Sequence, residues 1–452
     1  MSYLSNKLQT PINGIDLLIK VNAFILIFVT FFTTNIPFDP NNYADTFGGE
    51  TTNIRNQIVY LFLFFSSLII LSKRFDKILS LIRSEKYLST FILLCLLSAL
   101  WSDYSLISFK RSFQLFVMFL VIVEALVIVE PKVLLKQLKI VVSVYLFFNL
   151  YACRFIPAAI DPMFGTWRGM EPQKNWLAQN SLYCLLSSIV FFSFDKTRYT
   201  KLYDVVLILI SLLLIYKAHS STNLIAVVII VSMGLVFQIE SIFYKKLGIG
   251  RSLLGLSFLF ILIFSIIILI FSSEIFALIP GYFGKDLTLS GRVDIWKFAW
   301  NDIEKRLLLG YGFATYWIMG SSRLQIFASY FEGFMVNEAH NGYLEIILQL
   351  GFIGFIFFLF PIIAYIYRMF KLNSNLAILI FISIMTLNYT ESVLFKVGLG
   401  ITTFYFMATY TALSVFYFNL RQVNHNENNT SKNIGGSWYF KSIIKQKKEK
   451  LY

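Results

Sequence analysis

The sequence has too few charged residues for a soluble protein of its length. Only 14% of its 452 residues are Asp, Glu, Lys or Arg, whereas 57% are hydrophobic and the mean hydropathy is +0.69. A typical soluble domain carries about a quarter charged residues. The composition therefore excludes a soluble enzyme and predicts an all-α polytopic membrane protein, because apolar runs of this kind cross a bilayer as helices.

Cysteine is nearly absent as well. The three cysteines, Cys95, Cys153 and Cys184, each lie within an apolar run and show no paired spacing. This pattern predicts neither a disulfide framework nor a zinc site. The sequence also shows no glycine-rich phosphate loop and no obvious carboxylate cluster that would chelate a divalent metal. We therefore predict a protein without a metal ion or any other cofactor.

Acidic residues are scarce within the apolar runs, and Glu124 is the clearest example. A proton-coupled transporter would bury such groups near the middle of the membrane. The scarcity counts against a transporter or flippase of a small solute or lipid-linked sugar, which stays an alternative. The basic residues give a net charge of +14. They lie in short clusters between apolar runs, where they set topology, so no nucleic-acid partner is predicted.

About twelve apolar runs are long enough to cross the ~30 Å hydrocarbon core, helped by flanking side chains that reach the interface. Their approximate bounds are 15–34, 54–72, 88–101, 112–129, 138–156, 176–194, 203–217, 223–239, 253–272, 343–367, 376–389 and 398–420. Lys and Arg concentrate in alternate connections and in the tail. This asymmetry predicts that both termini are cytoplasmic.

Residues 1–420 are predicted to form one transmembrane domain that includes a large outward loop. The loop, residues 273–342, is polar enough to lie in water and faces the periplasm or the cell exterior. An outward loop of this size is typical of a bacterial inner (plasma) membrane protein. Residues 421–452 form a basic cytoplasmic tail that is rich in Asn, Lys and Ser, and we predict that it is disordered.

The outward loop contains a short pattern at the start of a predicted helix, residues 290–304. Ser290 is placed to cap this helix, and its predicted apolar face consists of Ile295, Trp296, Ala299, Trp300 and Ile303. Arg292 then projects from the helix start. Free N–H groups and a forked guanidinium together favour a phosphate group there. The alternative is that Arg292 only snorkels to the membrane interface or pairs with a lipid headgroup.

His340 is one of three histidines and lies just before the chain re-enters the membrane. An imidazole with a pKa near 6.5 can take a proton from a hydroxyl group, as a general base for sugar transfer must. A purely structural role is the alternative. Asn341 would either orient His340 by a hydrogen bond or cap the next helix.

Two further outward connections carry positive charge. The first, residues 157–175, contains Arg168 and Lys174, and the second is a short turn that contains Lys217 and His219. Positive side chains are common at helix ends for topological reasons alone. Both interpretations stay open at this point.

The ordered set of motifs resembles the O-antigen ligase and polysaccharide polymerase superfamily of bacterial envelopes. The motifs are Ser290-Gly291-Arg292 with Trp296, then Leu-Gly-Tyr-Gly-Phe at 309–313, then His340-Asn341 with Leu344, followed by Leu350-Gly351. In addition, Trp167-Arg168-Gly169 with Lys174-Asn175 and Gln179 is similar to the outer loop of the exopolysaccharide polymerases. The whole pattern covers roughly residues 160–420.

The resemblance implies an inverting, metal-independent glycosyltransferase with a GT-C-like membrane fold. It would polymerise a surface polysaccharide from an oligosaccharide linked to undecaprenyl diphosphate, at the outer face of the inner membrane. Other polysaccharide assembly proteins are further partners that the resemblance implies. An O-antigen ligase that transfers the glycan to lipid A core or protein is the first alternative, and an inactive scaffold is another. The implied diphosphate-binding residues are Arg292, Arg168 and Lys174, the catalytic residue is His340, and the supporting residues are Asn341, Trp296, Lys217 and His219.

Two positions depart from the pattern. The superfamily often has Glu two residues before the glycine that follows the His-Asn motif, and this chain has Gln349. Members also commonly place Ser-Arg or Ser-Lys at the start of the eighth span, where this chain has Ser220-Ser221. Lys217 or His219 would then supply the missing positive charge.

Overall fold

The computed structural model describes residues 14–32, 54–161, 165–247, 292–318, 321–330, 336–395 and 400–433. The helices in these ranges are α1 (Gly14–Phe31), α2 (Ile54–Ser84), α3 (Lys86–Leu97), α4 (Ser105–Ile128), α5 (Pro131–Phe155), α6 (Lys174–Phe194), α7 (Arg198–Lys217), α8 (Ser221–Leu247), α9 (Arg292–Lys305), α10 (Ser322–Tyr330), α11 (Gly342–Lys371), α12 (Asn375–Thr390) and α13 (Ile401–Asn433). The predicted span 253–272 and the residues Ser290 and Gly291 lie outside the described residues.

Most of the described helices are long and apolar enough to cross a membrane. Nine qualify by length and composition, namely α1, α2, α4, α5, α6, α7, α8, α11 and α13, and two further apolar helices, α3 and α12, are shorter. Their exposed surfaces are apolar, as shown by Phe65, Leu209 and Val228, each at least 60% exposed. This lipid-compatible surface and the helical content confirm an all-α polytopic membrane protein.

Helix α4 lies at the centre of the bundle. Every residue from 117 to 125 is buried, and the helix packs against α1, α2, α3 and α13. Hydrogen bonds between helices satisfy part of the polar interior, as where the Ser67 hydroxyl donates to Glu124 Oε2 at 3.0 Å. Because lipid offers no hydrogen-bond partner, such polar groups belong inside the bundle.

One end of the bundle carries three groups of ion pairs among the described residues. Arg74 pairs with Asp16 at 3.2 Å, and Arg368 pairs with buried Glu85 at 2.8 Å. Lys139 contacts both Asp195 and Asp204 at this end. These connections are the ones that the Lys and Arg distribution predicts to be cytoplasmic. The polar connections described below lie at the opposite end.

Helix α11 is broken at Gly351, where φ is +65° and ψ is −169°. A segment that follows α9, residues 307–312, runs beside the break and replaces the lost helical hydrogen bonds. Its carbonyl groups accept from the amides of Phe352 and Ile353, at 2.9 and 3.2 Å, and its amides donate to the carbonyl groups of Leu348 and Gln349, at 3.0 and 2.8 Å. The break is therefore satisfied by protein backbone, as membrane-embedded irregular structure requires.

Two glycines allow this close approach. Gly310 has a φ of +64°, and a β-carbon there would lie 2.6 Å from the Gly351 nitrogen. A β-carbon at Gly351 would lie 2.2 Å from the Leu308 carbonyl group. Neither position accepts a side chain without a backbone shift. The Leu-Gly-Tyr-Gly-Phe and Leu-Gly motifs are thus two sides of one backbone crossing that supports the outer end of α11.

Candidate functional site

Four ionisable side chains meet at the end of the bundle that the Lys and Arg distribution predicts to face outward, and they are called the outer cluster here: Arg292, Glu338, His340 and Glu391. The Glu391 carboxylate bridges two of the others, since Arg292 Nη2 lies 2.9 Å from its Oε1 and His340 Nδ1 lies 2.7 Å from its Oε2. Glu338 Oε1 lies 3.6 Å from the same imidazole nitrogen. The outer cluster therefore joins a guanidinium and an imidazole through one carboxylate.

Arg292 is placed by helix α9, which begins at this residue. Ile295, Ala299 and Ile303 are buried and hold the helix against α11, as their spacing predicts. Trp300 departs from the predicted apolar face, because its side chain is 45% exposed and its Nε1 donates to Glu304 Oε1 at 3.0 Å. An indole with a polar partner is stable at an aqueous boundary, so burial is not required there.

Trp296 fixes the distance between α9 and the turn that carries His340. Its Nε1 donates to the Ala339 carbonyl group at 2.8 Å. The Ala339 amide in turn donates to Glu345 Oε2 at 2.9 Å, on the first turn of α11. Both bonds hold the residue before His340, so Trp296 and Glu345 together fix the backbone of this turn.

The His340 backbone adopts a conformation that side-chain-bearing residues rarely take, with a φ of +48°. Such a conformation persists only where the surroundings fix it. The bonds to Ala339 fix one side of it. On the other side the Asn341 amide donates to the Ser392 hydroxyl at 3.2 Å. The turn therefore aims the imidazole at Glu391 at the cost of local strain.

Asn341 caps α11. Its Oδ1 accepts from the amides of Tyr343 and Leu344, at 3.0 and 3.2 Å. Of the two predicted roles for Asn341, the structure shows capping. Gly342 then lies against α12, where an added β-carbon would be 1.9 Å from Asn388 Oδ1. A glycine after the cap allows the start of α11 to approach the end of α12, where Glu391 follows.

The two carboxylates of the outer cluster were missed by the sequence analysis. His340 and Glu391 lie 51 positions apart, so no local pattern joins them. Glu338 is held from the same distant turn, since the Ser392 amide donates to its Oε2 at 3.1 Å. Two signals were available: Glu338 comes two residues before His340, and Glu391 is an acid between the last two apolar runs.

The surroundings of His340 favour its protonated form. Burial by itself lowers the pKa of the imidazole, and the charge of Arg292 lowers it further. The hydrogen bond with Glu391 and the negative charges of Glu338 and Glu391 raise the pKa more, so that it lies above its usual value. His340 is thus a stronger base than a free imidazole. Because Nδ1 faces the carboxylates, Nε2 is the nitrogen left to meet a substrate.

Arg168, Lys217 and His219 lie in a second group of residues, at the connections before α6 and after α7. Arg168 Nε donates to the Ala158 carbonyl group at 3.0 Å, which holds the side chain over its own loop. The Trp167 amide donates to the Lys217 carbonyl group at 3.2 Å, and Lys217 Nζ lies 5.9 Å from the centre of the Trp167 ring. His219 is exposed beside Tyr216. The structure thus brings the two outward connections together.

Two hydrogen bonds, on neighbouring residues of α13, tie helix α6 and the turn after α12 to the start of α13. Helix α6 begins at half-buried Lys174, and on it Gln179 Nε2 donates to Thr402 Oγ1 at 2.8 Å. The neighbouring Thr403 hydroxyl accepts from the Phe395 amide at 2.9 Å. Phe395 lies four positions after Glu391 in the chain. Both groups of predicted site residues are therefore held at the same end of the bundle.

Comparison with known proteins agrees with the motifs. The profile of the family described as O-Antigen ligase matches residues 206–359. Over 81 residues the chain is 33% identical to "Exopolysaccharide production protein ExoQ" of Rhizobium meliloti (strain 1021). The resemblance to the O-antigen ligase and polysaccharide polymerase superfamily is confirmed. The similarity supports a membrane function in polysaccharide assembly and does not distinguish a polymerase from a ligase.

The matches cover part of the chain. The stretch that aligns with ExoQ is 18% of this chain and 19% of ExoQ, so the chain spans about a fifth of that relative. The O-antigen ligase profile begins within α7 and ends within α11, which includes Arg292, Glu338 and His340. Arg168 and Glu391 lie outside it. The tertiary structure therefore adds Glu391 to the part of the site that the superfamily profile covers.

Gln349, which replaces the glutamate common in the superfamily, has a structural role. Gln349 Nε2 donates to Glu345 Oε1 at 2.9 Å, and its Oε1 accepts from the Ala314 amide at 3.1 Å. The same Glu345 carboxylate also accepts from Trp317 Nε1 at 2.9 Å. A carboxylate at position 349 would face Glu345 without a proton to donate. The amide therefore supports α11 beneath the outer cluster and takes no part in it.

The departure at Ser220-Ser221 leaves no charge on the first turn of α8. Ser220 is buried, its hydroxyl accepts from Asn223 Nδ2 at 2.9 Å, and its carbonyl group accepts from the Leu224 amide at 3.0 Å. Ser220 thus stabilises the first turn of α8 through these two hydrogen bonds. Lys217, which is exposed next to the Trp167 ring, and exposed His219 both stay predicted substitutes for the basic residue that superfamily members commonly carry there.

Glu171 anchors the loop that carries Arg168. Its buried carboxylate accepts from the Tyr145 hydroxyl and from Asn180 Nδ2, each at 2.9 Å. Burial raises the pKa of Glu171 from 4.5 to about 7, although both hydrogen bonds lower it. The folded state therefore binds a proton here that the unfolded state has already released at the same pH.

We expect the Glu171→Gln variant to lose a pH dependence of stability that the wild-type protein has. A raised pKa means that the neutral carboxyl group stabilises the fold below pH 4.5, and that this contribution disappears as the pH rises through about 7. The shift corresponds to on the order of 3 kcal/mol. Between about pH 6 and about pH 8 the unfolding midpoint of the wild type should fall, and that of the variant should stay nearly constant.

Thermal unfolding of the detergent-purified proteins, followed by tryptophan fluorescence, measures this difference. Glu130→Gln is a matched control, because Glu130 is exposed before α5. The control should show the wild-type pH dependence. An equal fall of the midpoint in Glu171→Gln and wild type would show that Glu171 is ionised in the folded protein.

Proposed function

We propose that this protein is a metal-independent membrane glycosyltransferase that polymerises a surface polysaccharide from an undecaprenyl-diphosphate-linked oligosaccharide. It would act at the outer face of the bacterial inner membrane, with both termini in the cytoplasm. The observation that carries the proposal is that Arg292 and His340 contact the same carboxylate, at 2.9 and 2.7 Å. An anion-binding group and a base therefore lie side by side.

The proposed reaction is a single displacement with inversion. A hydroxyl oxygen of the acceptor sugar forms a bond to the anomeric carbon of the donor, while the bond from that carbon to the diphosphate oxygen breaks. The electron pair leaves with the diphosphate, and the hydroxyl proton goes to His340 Nε2. Negative charge develops on the leaving group, where a fixed guanidinium stabilises it most.

Glu391 would position both groups. Through Nδ1 it orients the imidazole and stabilises the positive charge that His340 gains on taking the proton, as the carboxylate does in a Ser-His-Asp triad. A guanidinium has five N–H donors, so one bond to Glu391 leaves others for phosphate oxygens. Arg168 and Lys174, held at the same end of the bundle, would complete the anion site, with Lys217 and His219 in support.

A ligase is the second candidate function, because the family profile that matches the chain is described as O-Antigen ligase. The same chemistry would then transfer the glycan to lipid A core or to protein. The two functions differ only in the acceptor. A ligase adds one glycan to a foreign acceptor, whereas a polymerase extends a glycan that is itself bound to the carrier.

Reconstitution tests the proposal. The purified protein is placed in vesicles with undecaprenyl-diphosphate glycans extracted from its own host, and the released carrier diphosphate and the product length are followed. Carrier release with growing chains supports the polymerase. Carrier release only when lipid A core or protein is added supports the ligase. Movement of glycan across the membrane without carrier release would overturn both and favour a transporter.

A further inference from the structure

We propose that the outer cluster also binds a divalent transition-metal cation such as zinc through Glu338, His340 and Glu391, and that the bound ion inhibits glycan transfer. Binding follows from the geometry alone, whereas the inhibition rests on the proposed function. Catalysis itself stays metal-free under this proposal. The ion binds reversibly to His340 and prevents it from acting as the general base.

The three ligand atoms lie close to the spacing that a small metal ion requires. One ligand atom from each of Glu338, His340 and Glu391 lies within 4.8 Å of the other two. His340 Nδ1 lies 3.6 Å from Glu338 Oε1 and 2.7 Å from Glu391 Oε2. A tetrahedral zinc ion with ligands at about 2.0–2.1 Å separates its ligand atoms by about 3.3 Å. The two observed distances bracket this value, so a small outward movement of Glu391 admits the ion.

The carboxylates are already oriented by other protein groups. Arg292 holds Glu391 through Oε1, and the Ser392 amide holds Glu338 through Oε2. In each carboxylate the second oxygen is the one that faces Nδ1. Ligands of metal sites are commonly oriented by such outer bonds, which fix their direction before the ion arrives.

Charge and accessibility also fit a divalent transition metal. Two carboxylates balance the charge of the ion, and a mixed nitrogen and oxygen ligand set favours zinc, cobalt or manganese over magnesium or calcium. The side chain of His340 is 28% exposed, and those of Glu338 and Glu391 are 8% and 12% exposed. An ion can therefore reach the site from outside and is then largely enclosed.

Inhibition follows from the tautomer of the imidazole. An ion on Nδ1 takes the lone pair of that nitrogen, so the single proton of the neutral ring, which is shared there with Glu391, moves through solvent to Nε2. A nitrogen that already carries a proton cannot accept one from the acceptor hydroxyl. Zn²⁺ should thus reduce transfer at least about tenfold, and a chelator should restore it.

Co²⁺ provides a readout that does not depend on activity. We expect the metal-stripped, detergent-purified protein to give a visible d–d absorption on addition of Co²⁺, which Zn²⁺ abolishes by displacement. His340→Ala and Glu338→Gln should each weaken Co²⁺ binding at least about tenfold. His425→Ala, the matched control, removes a histidine near the end of α13 and should bind as the wild type does. Size-exclusion profiles check that each variant is folded.

The two readouts separate the two proposals. A Co²⁺ signal that is absent, or that His340→Ala and Glu338→Gln leave unchanged, overturns the metal site even if glycan transfer is measured. A His340-dependent signal in a protein that never releases carrier supports the metal site and refutes the glycosyltransferase. A signal together with transfer that Zn²⁺ does not reduce overturns the inhibitory role.

Discussion

Replacing His340 by alanine is expected to lower glycan transfer by about 10²- to 10⁴-fold, the usual contribution of a positioned general base. His340 carries the only imidazole in the outer cluster, and its pKa is raised by Glu391 and Glu338, which strengthens it as a base. Without the ring, the acceptor hydroxyl must lose its proton to water. The loss should appear in the rate at saturating donor, because the base acts in the transition state.

Glu391→Gln separates a positioning effect from the loss of the base. The amide keeps the size of the side chain and removes the negative charge that stabilises the imidazolium, so we expect a smaller loss of about tenfold or more. His425→Ala should leave transfer unchanged. All variants are compared by release of carrier diphosphate from reconstituted vesicles and by their unfolding midpoints. Wild-type transfer by a folded His340→Ala variant would remove His340 from the chemistry.

Arg292→Lys is expected to reduce transfer by about 10²-fold although it keeps the positive charge. Arg292 holds Glu391 through Nη2 at 2.9 Å, and under the proposed function its other N–H groups bind the diphosphate. A lysine ammonium is a point charge and cannot span a carboxylate and a phosphate with fixed geometry. Both the affinity for the lipid-linked donor and the rate should therefore fall.

Arg306→Lys is the matched control at the same end of the bundle. Arg306 pairs with Asp103 at 2.7 Å on a partly exposed surface, outside the outer cluster. An exposed ion pair contributes little and a lysine can replace it, so transfer should stay close to wild type. Equal activity of Arg292→Lys and Arg306→Lys, measured over a series of donor concentrations, would show that Arg292 serves only the fold.

The fold class and the local elements were largely predictable because they depend on local patterns. Apolar runs separated by basic connections specify membrane helices, and the shorter predicted spans near 88–101 and 376–389 correspond to α3 and α12. The amphipathic period after Ser290 predicts a helix over 290–304, and α9 spans Arg292–Lys305. The apolar run at 54–72 marks the start of α2, which continues to Ser84 past a kink at Arg74.

Contacts between distant segments were not predictable in this way. No residue near His340 in the chain indicates that Glu391 is its partner. The sequence alone suggests that Gln349 replaces a functional carboxylate. The structure shows instead that its side-chain amide bonds to Glu345 and to the Ala314 backbone. In the sequence, Gly310 and Gly351 belong to two separate motifs. In the fold the two glycines lie against each other, where one backbone segment crosses the other.

The sequence by itself determined that the chain forms a helical membrane bundle, where the amphipathic helix near the site runs, and which superfamily the chain resembles. These properties follow from hydrophobic period, charge placement and short motifs, which act over a few residues. Only the tertiary structure decided that Arg292, Glu338 and His340 share Glu391. The physical reason is that this carboxylate reaches the site through the packing of α11 against α12, and packing joins residues without regard to their separation in the chain.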